Sequence, residues 1–559
     1  MNSLLYRILK LAIFRKSFNS KRLLMNQTKQ PTNTGALATL VMVFFFWGFI
    51  AASNSIFIPF CRTHFSLSQF QSQLIGSAFY GAYFIGSLIL YLVSSLLGYD
   101  ILNRIGYKKG IIYGLMISVV GALCIIPSAN ANSFPAILAS FFVVALGFSL
   151  QQTAAQPFAI ALGDPSTGSH RLNLAGGVNS LGTTLGPIIV SFFLFGSVGG
   201  VHKEVTVTNV NTLYLIVAAV FAIVAMFFAF SKLPSGKNDE KFEGSFKAAM
   251  SLIIMTVILG ILVTVGQLTE VSKLPMLILA FLGVIGVLFY SYNKASKVSD
   301  GWGAMKYPQL ILGMIGIFLY VGVEVTIDNN FGALLKTPGY ITEHGMLDSQ
   351  ISKYISLYWG SLMIGRWIGA ISVFKLSKTG KNIATVVVPF IAFGVILVVN
   401  NLYGNDIKDL LPYSGVIVVA IAAFFFGQAK PVKTLLTLAL LAAFAMIFGV
   451  MTKGIVSVYA FMSGGLFCSI MWPCIFSLAV AGLGKYTSQG SAFLIMMILG
   501  GAIIPPFQGA LGDTPSIGMH NSYLVAAVCF GLLALLAIRL RGVLKSQGLD
   551  FDSQIGGGH

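Results

Sequence analysis

The sequence predicts an all-α polytopic membrane protein, and three observations lead to that fold class. Of its 559 residues 56% are hydrophobic and 9% are charged, with a mean hydropathy of +0.85, which is more apolar surface than one soluble core can bury. Apolar windows of about 20 residues, the length that crosses a bilayer as a helix, recur from Gly35 to the C-terminal region. Basic residues concentrate in alternate loops between these windows.

The apolar windows predict sixteen membrane spans. Short polar gaps separate them, and each is long enough to cross the hydrocarbon core as a helix. In chain order they are 35–60, 74–98, 110–128, 134–161, 174–197, 212–231, 248–268, 274–292, 308–327, 354–374, 383–402, 411–428, 434–451, 455–482, 488–509 and 521–540.

The Lys and Arg residues indicate how these spans are oriented. If the N-terminus lies inside, 27 of the 35 basic residues fall in inside segments, 7 fall in outside loops, and Arg366 lies within a span. This bias predicts a multi-pass protein of the cytoplasmic (plasma) membrane with both termini in the cytoplasm. It also accounts for the net charge of +18 by loops that face anionic lipid, and so argues against nucleic-acid binding.

A repeat and a charged loop indicate two bundles. FYGAYFIGS at 79–87 matches YWGSLMIGR at 358–366, and the segment 232–247 is the most charged loop between spans. Parallel repeats of this kind are typical of transporters, and aligning them requires four helices to be additions to a core of six plus six. The predicted organisation is a cytoplasmic segment 1–34, an N-terminal bundle 35–231, a loop with an extra helix pair 232–307, a C-terminal bundle 308–540 with a pair inserted near 383–428, and a cytoplasmic tail 541–559.

The fourth span carries three glutamines in an apolar run, LGFSLQQTAAQPFAIALG at 146–163. An unpaired amide in hydrocarbon costs several kcal/mol, so these side chains either join helices or face a wet cavity. Other polar and aromatic residues in spans favour a cavity, because amides match a vicinal diol and aromatic faces stack on sugar rings. The candidate substrate-binding residues are Gln152, Gln156, Asn179, Asn54, Trp359 and Gln508.

Several motifs resemble the fucose/glucose/galactose permeases of the major facilitator superfamily, and most of all the glucose/galactose branch. They are FFFWGF, FYGAYFIG, RIGYKKGI, SLQQTAAQPFAIALG, RLNLAGGVNSLGTTLGP, FLYVGVEVTI, LYWGSLMIGRWIGA and the segment from GLFCSIMWPC to PPFQG. The resemblance covers about 35–231, 308–374 and 434–540, in family order. It implies a major facilitator fold and a rocking sugar importer whose site lies at mid-membrane between the halves.

The resemblance carries over to individual residues only in part. Asn179 stands where fucose permeases place a sugar-binding asparagine, and Gln152 stands where they carry a glutamate. Ser55 takes the place of their first-helix aspartate. Both carboxylates of the fucose permeases are therefore replaced, which leaves proton coupling, sodium coupling and uncoupled transport open.

Glu324 is the candidate coupling residue, because it is the carboxylate that lies well inside a predicted core span. A structural ion pair with Arg366 is the alternative, although helix rise places the two residues about 12 Å apart in depth. The other acidic residues nearby, Asp328, Glu343 and Asp348, are expected in an outside loop without metal-ligand spacing.

The candidate gating residues are Arg104 and Arg366. The stretches RIGYKKG at 104–110 and GRWIGA at 365–370 resemble the superfamily's cytoplasmic gating loop and its counterpart. Arg366 is expected to close the cytoplasmic gate rather than to touch sugar.

The sequence predicts a secondary transporter that imports a hexose such as glucose or galactose, and neither a cofactor nor a resident metal ion is expected. Fucose or an N-acetyl-hexosamine is the alternative substrate, with a proton or sodium ion and the lipid bilayer as the other partners. A membrane enzyme is not expected, because no paired acidic residues with metal-ligand spacing are visible. A transport-inactive sugar sensor is the alternative class.

Overall fold

The computed structural model describes residues 31–66, 69–195, 206–236, 245–268, 273–346, 348–374, 376–427 and 430–549. Within these ranges the chain is helical and contains no β-strand. We number the sixteen long helices α1 to α16 in chain order and leave the short helical turns between them unnumbered.

The first eight helices come from the N-terminal half and the segment that follows it. They are α1 (Thr34–His64), α2 (Gln69–Leu97), α3 (Tyr107–Asn130), α4 (Phe134–Ala161), α5 (Gly168–Phe195), α6 (Val207–Phe230), α7 (Phe246–Leu268) and α8 (Lys273–Lys297).

The second eight helices include two that are interrupted. They are α9 (Pro308–Leu335), α10 (Asp348–Ala370), α11 (Lys378–Leu402), α12 (Ser414–Gly427), α13 (Pro431–Met451), α14 (Gly454–Cys468 and Met471–Ala479), α15 (Thr487–Met496 and Gly500–Gly512) and α16 (Leu524–Ser546).

Each of the sixteen predicted spans corresponds to one of these helices, and within the described ranges thirteen helical segments are long and apolar enough to cross a membrane by length and composition. The polar gaps between helices hold residues that cap the helix N-termini. The Ser133 hydroxyl accepts from the Ala136 amide at the start of α4, and Thr206 and Asn209 form a reciprocal capping box before α6. The protein is therefore a multi-pass membrane protein.

The core consists of two six-helix halves with the same packing. In the first half α1 packs on α5, α2 on α4, and α3 on both α4 and α6. In the second half α9 packs on α15, α10 on α14, and α13 on both α14 and α16. These four pairings correspond one to one, so α2 and α10, which carry the repeated sequence motif, hold equivalent places.

The two additional helix pairs lie at the periphery of this core. The helices α7 and α8 pack on each other, and α8 also contacts α9 and α15. In the second pair α11 packs on α10 and α12 on α13. Much of their apolar surface is exposed, including Ile261, Leu282 and Val398, which suits a face turned to lipid.

The helix α9 extends further than the sequence predicted. The predicted span ends at residue 327, whereas α9 continues to Leu335. The polar residues that suggested a loop lie in the protein interior, where the Asn330 amide donates to Thr326 O and to Pro505 O of α15. The expectation that Asp328 lies in a loop was therefore wrong, because α9 continues through it to Leu335 and Asn330 is held by partners within the protein.

Glycines let α1 and α5 pack backbone to backbone. A Cβ added at Gly182 of α5 would clash with Phe45 O of α1, and one added at Gly48 would clash with Asn179 O. By contrast, a Cβ added at Gly81 of α2 would have no atom within 4 Å.

We therefore expect Gly182→Ala to destabilise the protein and Gly81→Ala to leave its stability nearly unchanged. The clash at Gly182 is with backbone, so its cost should be about 1–3 kcal/mol. Thermal unfolding of both variants in the same detergent measures the difference. Equal melting temperatures for the two would contradict the close approach of α1 and α5.

The halves meet along a seam. The contacts of this seam are made by α5 with α10 and α14, and by α15 with α2 and α4. Because there are sixteen helices, the described chain begins and ends at the same face of the bundle, which we call the terminal face. There the amide N–H of Asn33 donates to Leu162 O, and Leu549 lies beside Gly482.

Candidate functional site

A charged cluster lies in the middle of the seam. The Glu324 carboxylate of α9 accepts a hydrogen bond of 2.7 Å from the Tyr320 hydroxyl and pairs with the Arg366 guanidinium of α10 at 3.3 Å. The side chains of Glu324 and Arg366 are 12% and 13% exposed. A nearly buried pair of this kind is costly to desolvate and is a functional-site candidate within a membrane span.

Arg366 also reaches across the seam. Its guanidinium donates to Ser180 Oγ at 2.9 Å and to Gly176 O, both on α5, and to Ser469 O of the second half at 3.1 Å. One side chain therefore holds a carboxylate of one half and two oxygens of the other.

The structure corrects the expected depth separation of Glu324 and Arg366. Counting helix rise between predicted span ends placed them about 12 Å apart, whereas their side chains form an ion pair. The count omitted the reach of the two side chains and the true end of α9 at Leu335.

Glycines bring α5 and α10 together beside this cluster. A Cβ at Gly176 would lie 3.1 Å from the Arg366 side chain, and one at Gly177 would lie 2.6 Å from the Trp367 ring. The Trp367 indole N–H also donates to Gly177 O at 3.2 Å. A larger residue at either glycine would push the halves apart.

Aromatic and amide side chains border the cluster on the opposite side of the seam. The Tyr80 hydroxyl of α2 lies close enough to interact electrostatically with the carboxyl groups of Glu324 and Asp328. The Gln152 amide of α4 donates to the Tyr83 hydroxyl of α2 at 2.9 Å.

The three glutamines of α4 have different surroundings. Gln151 is fully buried, accepts from the Trp47 indole at 2.6 Å and donates to Ser118, so it joins α4 to α1 and α3. Gln152 is half-buried and bonded to Tyr83, and Gln156 is 6% exposed. Gln151 therefore joins helices as one of the two alternatives predicted, and cavity lining by Gln152 and Gln156 stays a prediction.

The two candidate asparagines of the first half lie on facing helices. The Asn179 amide of α5 donates to Phe44 O of α1 at 2.9 Å, and Asn179 is half-buried. Asn54 and Ser55 belong to α1, but their side chains are outside the described part of the structure.

The two candidate residues of the second half are placed differently. Trp359 of α10 is half-buried and lies beside the Asp328 carboxyl group. Gln508 of α15 is fully buried, and its carbonyl accepts from the Thr326 hydroxyl of α9 at 2.9 Å. Gln508 therefore contacts a different face of α9 from the one that carries Tyr320, Glu324 and Asp328, which recur every fourth residue.

The gating stretch lies at the terminal face. Asp100 caps a short helix, Ile101–Ile105, and accepts a hydrogen bond of 3.0 Å from Ser488 at the start of α15, while Asn103 donates to Lys485 O. Arg104 is exposed and stacks on the Tyr99 ring, 4.3 Å from its centroid.

The Asp100 carboxyl group and a hydrogen bond from His170 both contribute to the closure of this face. Burial raises the pKa of the Asp100 carboxyl group, and hydrogen bonds from Asn103 and Ser488 act in the opposite direction. On the other side of the seam, His170 Nδ1 donates to Gly369 O at 3.0 Å. Contacts from the segment after α2 to the start of α15, and from α5 to α10, thus close the terminal face.

Sequence reasoning missed several residues of the cluster. Asp328 was assigned to a loop, and no role was given to Tyr320, Tyr80 or Ser180. A signal for two of these was present, because Tyr320 and Asp328 each lie four residues from Glu324 and so share its helix face. The partners on α2 and α5 depend on tertiary packing.

Comparison with known proteins agrees with this fold. Residues 37–431 match the sequence profile of the Major Facilitator Superfamily. The glucose/galactose transporter of Brucella abortus is 31% identical over 512 residues, which cover 91% of this chain and 95% of that protein. The L-fucose-proton symporter of Escherichia coli is 24% identical over 520 residues, with 89% and 92% covered.

A solved structure supports the same conclusion. The crystal structure of the E. coli fucose:proton symporter matches with a TM-score of 0.61 and 22% identity, over 90% of this chain and 98% of that chain. The likeness shows a common fold of two helical halves. The chain therefore belongs to the Major Facilitator Superfamily.

Proposed function

We propose that the protein imports a monosaccharide, a hexose such as glucose or galactose, by alternating access. The observation that carries the proposal is the polar and aromatic cluster on the seam, nearly buried within membrane-spanning helices and built from both halves. Amide, hydroxyl and carboxylate groups beside tryptophan and tyrosine rings suit a polyol with apolar ring faces. The similarity to a glucose/galactose transporter supports the same substrate class.

In this proposal the sugar enters from the face opposite the terminal face and engages residues of both halves. Gln152, Gln156 and Asn179 contribute from the first half, with Asn54 on the neighbouring helix. Trp359 contributes from the second half, and Gln508 supports α9 through Thr326. The contacts at the terminal face then separate and release the sugar.

We further propose that a proton drives the transport through Glu324. In the observed conformation the ionised carboxylate holds Arg366, whose other donors hold α5. A proton on Glu324 would remove this attraction and free Arg366 to release Ser180 and Gly176, which loosens the seam. The similarity to a proton symporter supports a proton in preference to sodium.

The distribution of basic residues supports a proposal for the orientation in the cell. We propose that the protein resides in the cytoplasmic membrane with its terminal face in the cytoplasm. The inside loops, including the gating stretch around Arg104, then carry most of the Lys and Arg residues.

Uptake of labelled sugars into proteoliposomes tests this function. Glucose and galactose should be taken up saturably and compete with each other. Fucose should compete poorly, because it lacks a hydroxyl group that a hexose site would bind. Preferential uptake of fucose or N-acetylglucosamine would reassign the substrate, and uptake of no monosaccharide would refute the proposal.

We expect Gln152→Ala to abolish glucose uptake without loss of the folded protein. Gln152 is half-buried and makes one hydrogen bond, to Tyr83 of α2, whereas Gln151 is fully buried and joins α4 to two helices, so the loss of Gln152 should disturb the packing less. Gln350→Ala, an amide at the exposed start of α10, is the control and should transport normally. Near-normal uptake by Gln152→Ala would remove this residue from the site.

A further inference from the structure

A second carboxyl group, that of Asp328, lies on the cluster face of α9 without a cation. It is one helical turn after Glu324, which already pairs with Arg366. Among the described residues Asp328 forms no ion pair, and its Oδ1 is buried without a hydrogen-bond partner. An acidic group in this state within a membrane span is a functional-site candidate, and a ligand hydroxyl group would supply the missing donor.

The titratable groups that face Asp328 come from four helices or their ends, and none of them is a cation. They are Glu324 of α9, Tyr80 of α2, Tyr358 of α10 and Tyr523, which precedes α16. Two of these hydroxyls are already used, since Tyr358 donates to Glu324 O at 2.7 Å and Tyr523 donates to Ile327 O at 3.1 Å. They are therefore committed to the α9 backbone rather than to Asp328.

The apolar walls beside Asp328 are flat and aromatic. The Trp359 side chain lies beside the carboxyl group, and the Trp359 ring lies 5.7 Å from that of Tyr358 in an edge-to-face arrangement. The Tyr80 ring belongs to the first half and packs against α15 of the second half, since a Cβ added at Gly501 would lie 3.2 Å from the ring. Aromatic residues of both halves therefore lie near the carboxyl group.

We propose that Asp328, Trp359 and Tyr80 form a sugar subsite in which the Asp328 carboxylate accepts hydrogen bonds from two neighbouring hydroxyl groups. The Trp359 ring supplies the flat face for the sugar ring, and Tyr80 supplies the contact from the first half. The subsite rests on the proposed function and adds to it the group that recognises a diol. It also gives different roles to the two carboxyl groups of α9, since Glu324 is held by Arg366.

Sugar binding, measured separately from transport, tests this assignment. The purified protein is titrated with glucose by calorimetry at one fixed pH, as wild type and as Asp328→Ala, Asp328→Asn and the control Asp513→Asn. Asp513 is an exposed acidic residue that follows α15. Thermal unfolding confirms that each variant is folded.

We expect Asp328→Ala to weaken glucose binding by about tenfold to a hundredfold, the loss typical of hydrogen bonds to a charged group. Asp328→Asn keeps one acceptor oxygen and should lie between Asp328→Ala and wild type, and Asp513→Asn should bind normally. Deoxyglucoses identify the hydroxyl groups concerned: removing a hydroxyl that Asp328 binds should weaken the wild type and leave the affinity of Asp328→Ala unchanged.

Three results would overturn the subsite. The first is wild-type affinity in a folded Asp328→Ala variant. The second is an Asp328→Asn variant that binds glucose with wild-type affinity but loses proton-driven accumulation, which would make Asp328 a proton carrier instead. The third is the absence of monosaccharide binding by the wild type, which would refute the proposed function itself.

Discussion

Replacing Arg366 by methionine is expected to destabilise the folded protein by about 3–5 kcal/mol, because it leaves the Glu324 charge buried without its partner. Methionine keeps most of the apolar stem that packs against Gly176, so lost packing should contribute little. The oxygens of Ser180 and Ser469 also lose their donor. Thermal unfolding of the purified variant in detergent measures this loss, and glucose uptake should be abolished.

The chain offers a matched control for this variant. Lys353 pairs with Asp409 on the opposite face, but Asp409 is 52% exposed and stays hydrated when its partner is removed. Lys353→Met should therefore cost at most about 1 kcal/mol. The double variant Arg366→Met with Glu324→Gln should recover much of the stability, because no uncompensated charge remains. Equal unfolding temperatures for Arg366→Met and Lys353→Met would contradict a buried ion pair on the seam.

Changing Glu324 to glutamine is expected to abolish the stimulation of glucose uptake by a proton gradient. Glutamine is close in size and keeps an acceptor for the Tyr320 hydroxyl, but it leaves the Arg366 charge without its partner, so thermal unfolding first confirms that the variant is folded. It cannot take up or release a proton, so uptake with an inward proton gradient should fall to the level measured without one. The measurement is initial uptake into proteoliposomes with pH and sodium gradients imposed separately.

The control for this prediction is Asp513→Asn, which removes an exposed acidic residue and should keep its proton stimulation. Proton stimulation that survives in Glu324→Gln would exclude Glu324 as the coupling group. Stimulation of the wild type by sodium alone would replace proton coupling by sodium coupling, and uptake indifferent to both gradients would indicate a facilitator.

The positions of the helices could be predicted from the sequence, because each helix that crosses lipid must be apolar over its length. The end of α9 could not, since its last turns are polar and are satisfied by Pro505 O of α15 rather than by water. The break in α14 between Cys468 and Met471 was also absent from the prediction. Hydropathy identifies the part of a helix that faces lipid, so it does not locate a helix end that is polar and surrounded by protein.

The site was less predictable than the fold. Polar residue types in apolar spans pointed to Gln152, Glu324 and Arg366, but the helix rotation that separates Gln151 from Gln152 is a tertiary property. The contact between Arg366 and Ser180 joins residues 186 positions apart in the chain. Such a contact follows from the packing of α5 on α10 through small residues, which one sequence does not specify.

A reversible cross-link across the terminal face tests alternating access most directly. A Cβ at Gly369 of α10 would lie 2.7 Å from Asn173 Cγ of α5, which is close to the spacing from one Cβ to the partner sulfur in a disulfide. The variant with cysteine at both positions should lose glucose uptake when oxidised, still bind glucose, and regain uptake on reduction, while each single variant should transport under both conditions. Undiminished uptake by the fully cross-linked protein would contradict the proposal that sugar leaves through separation of α5 and α10.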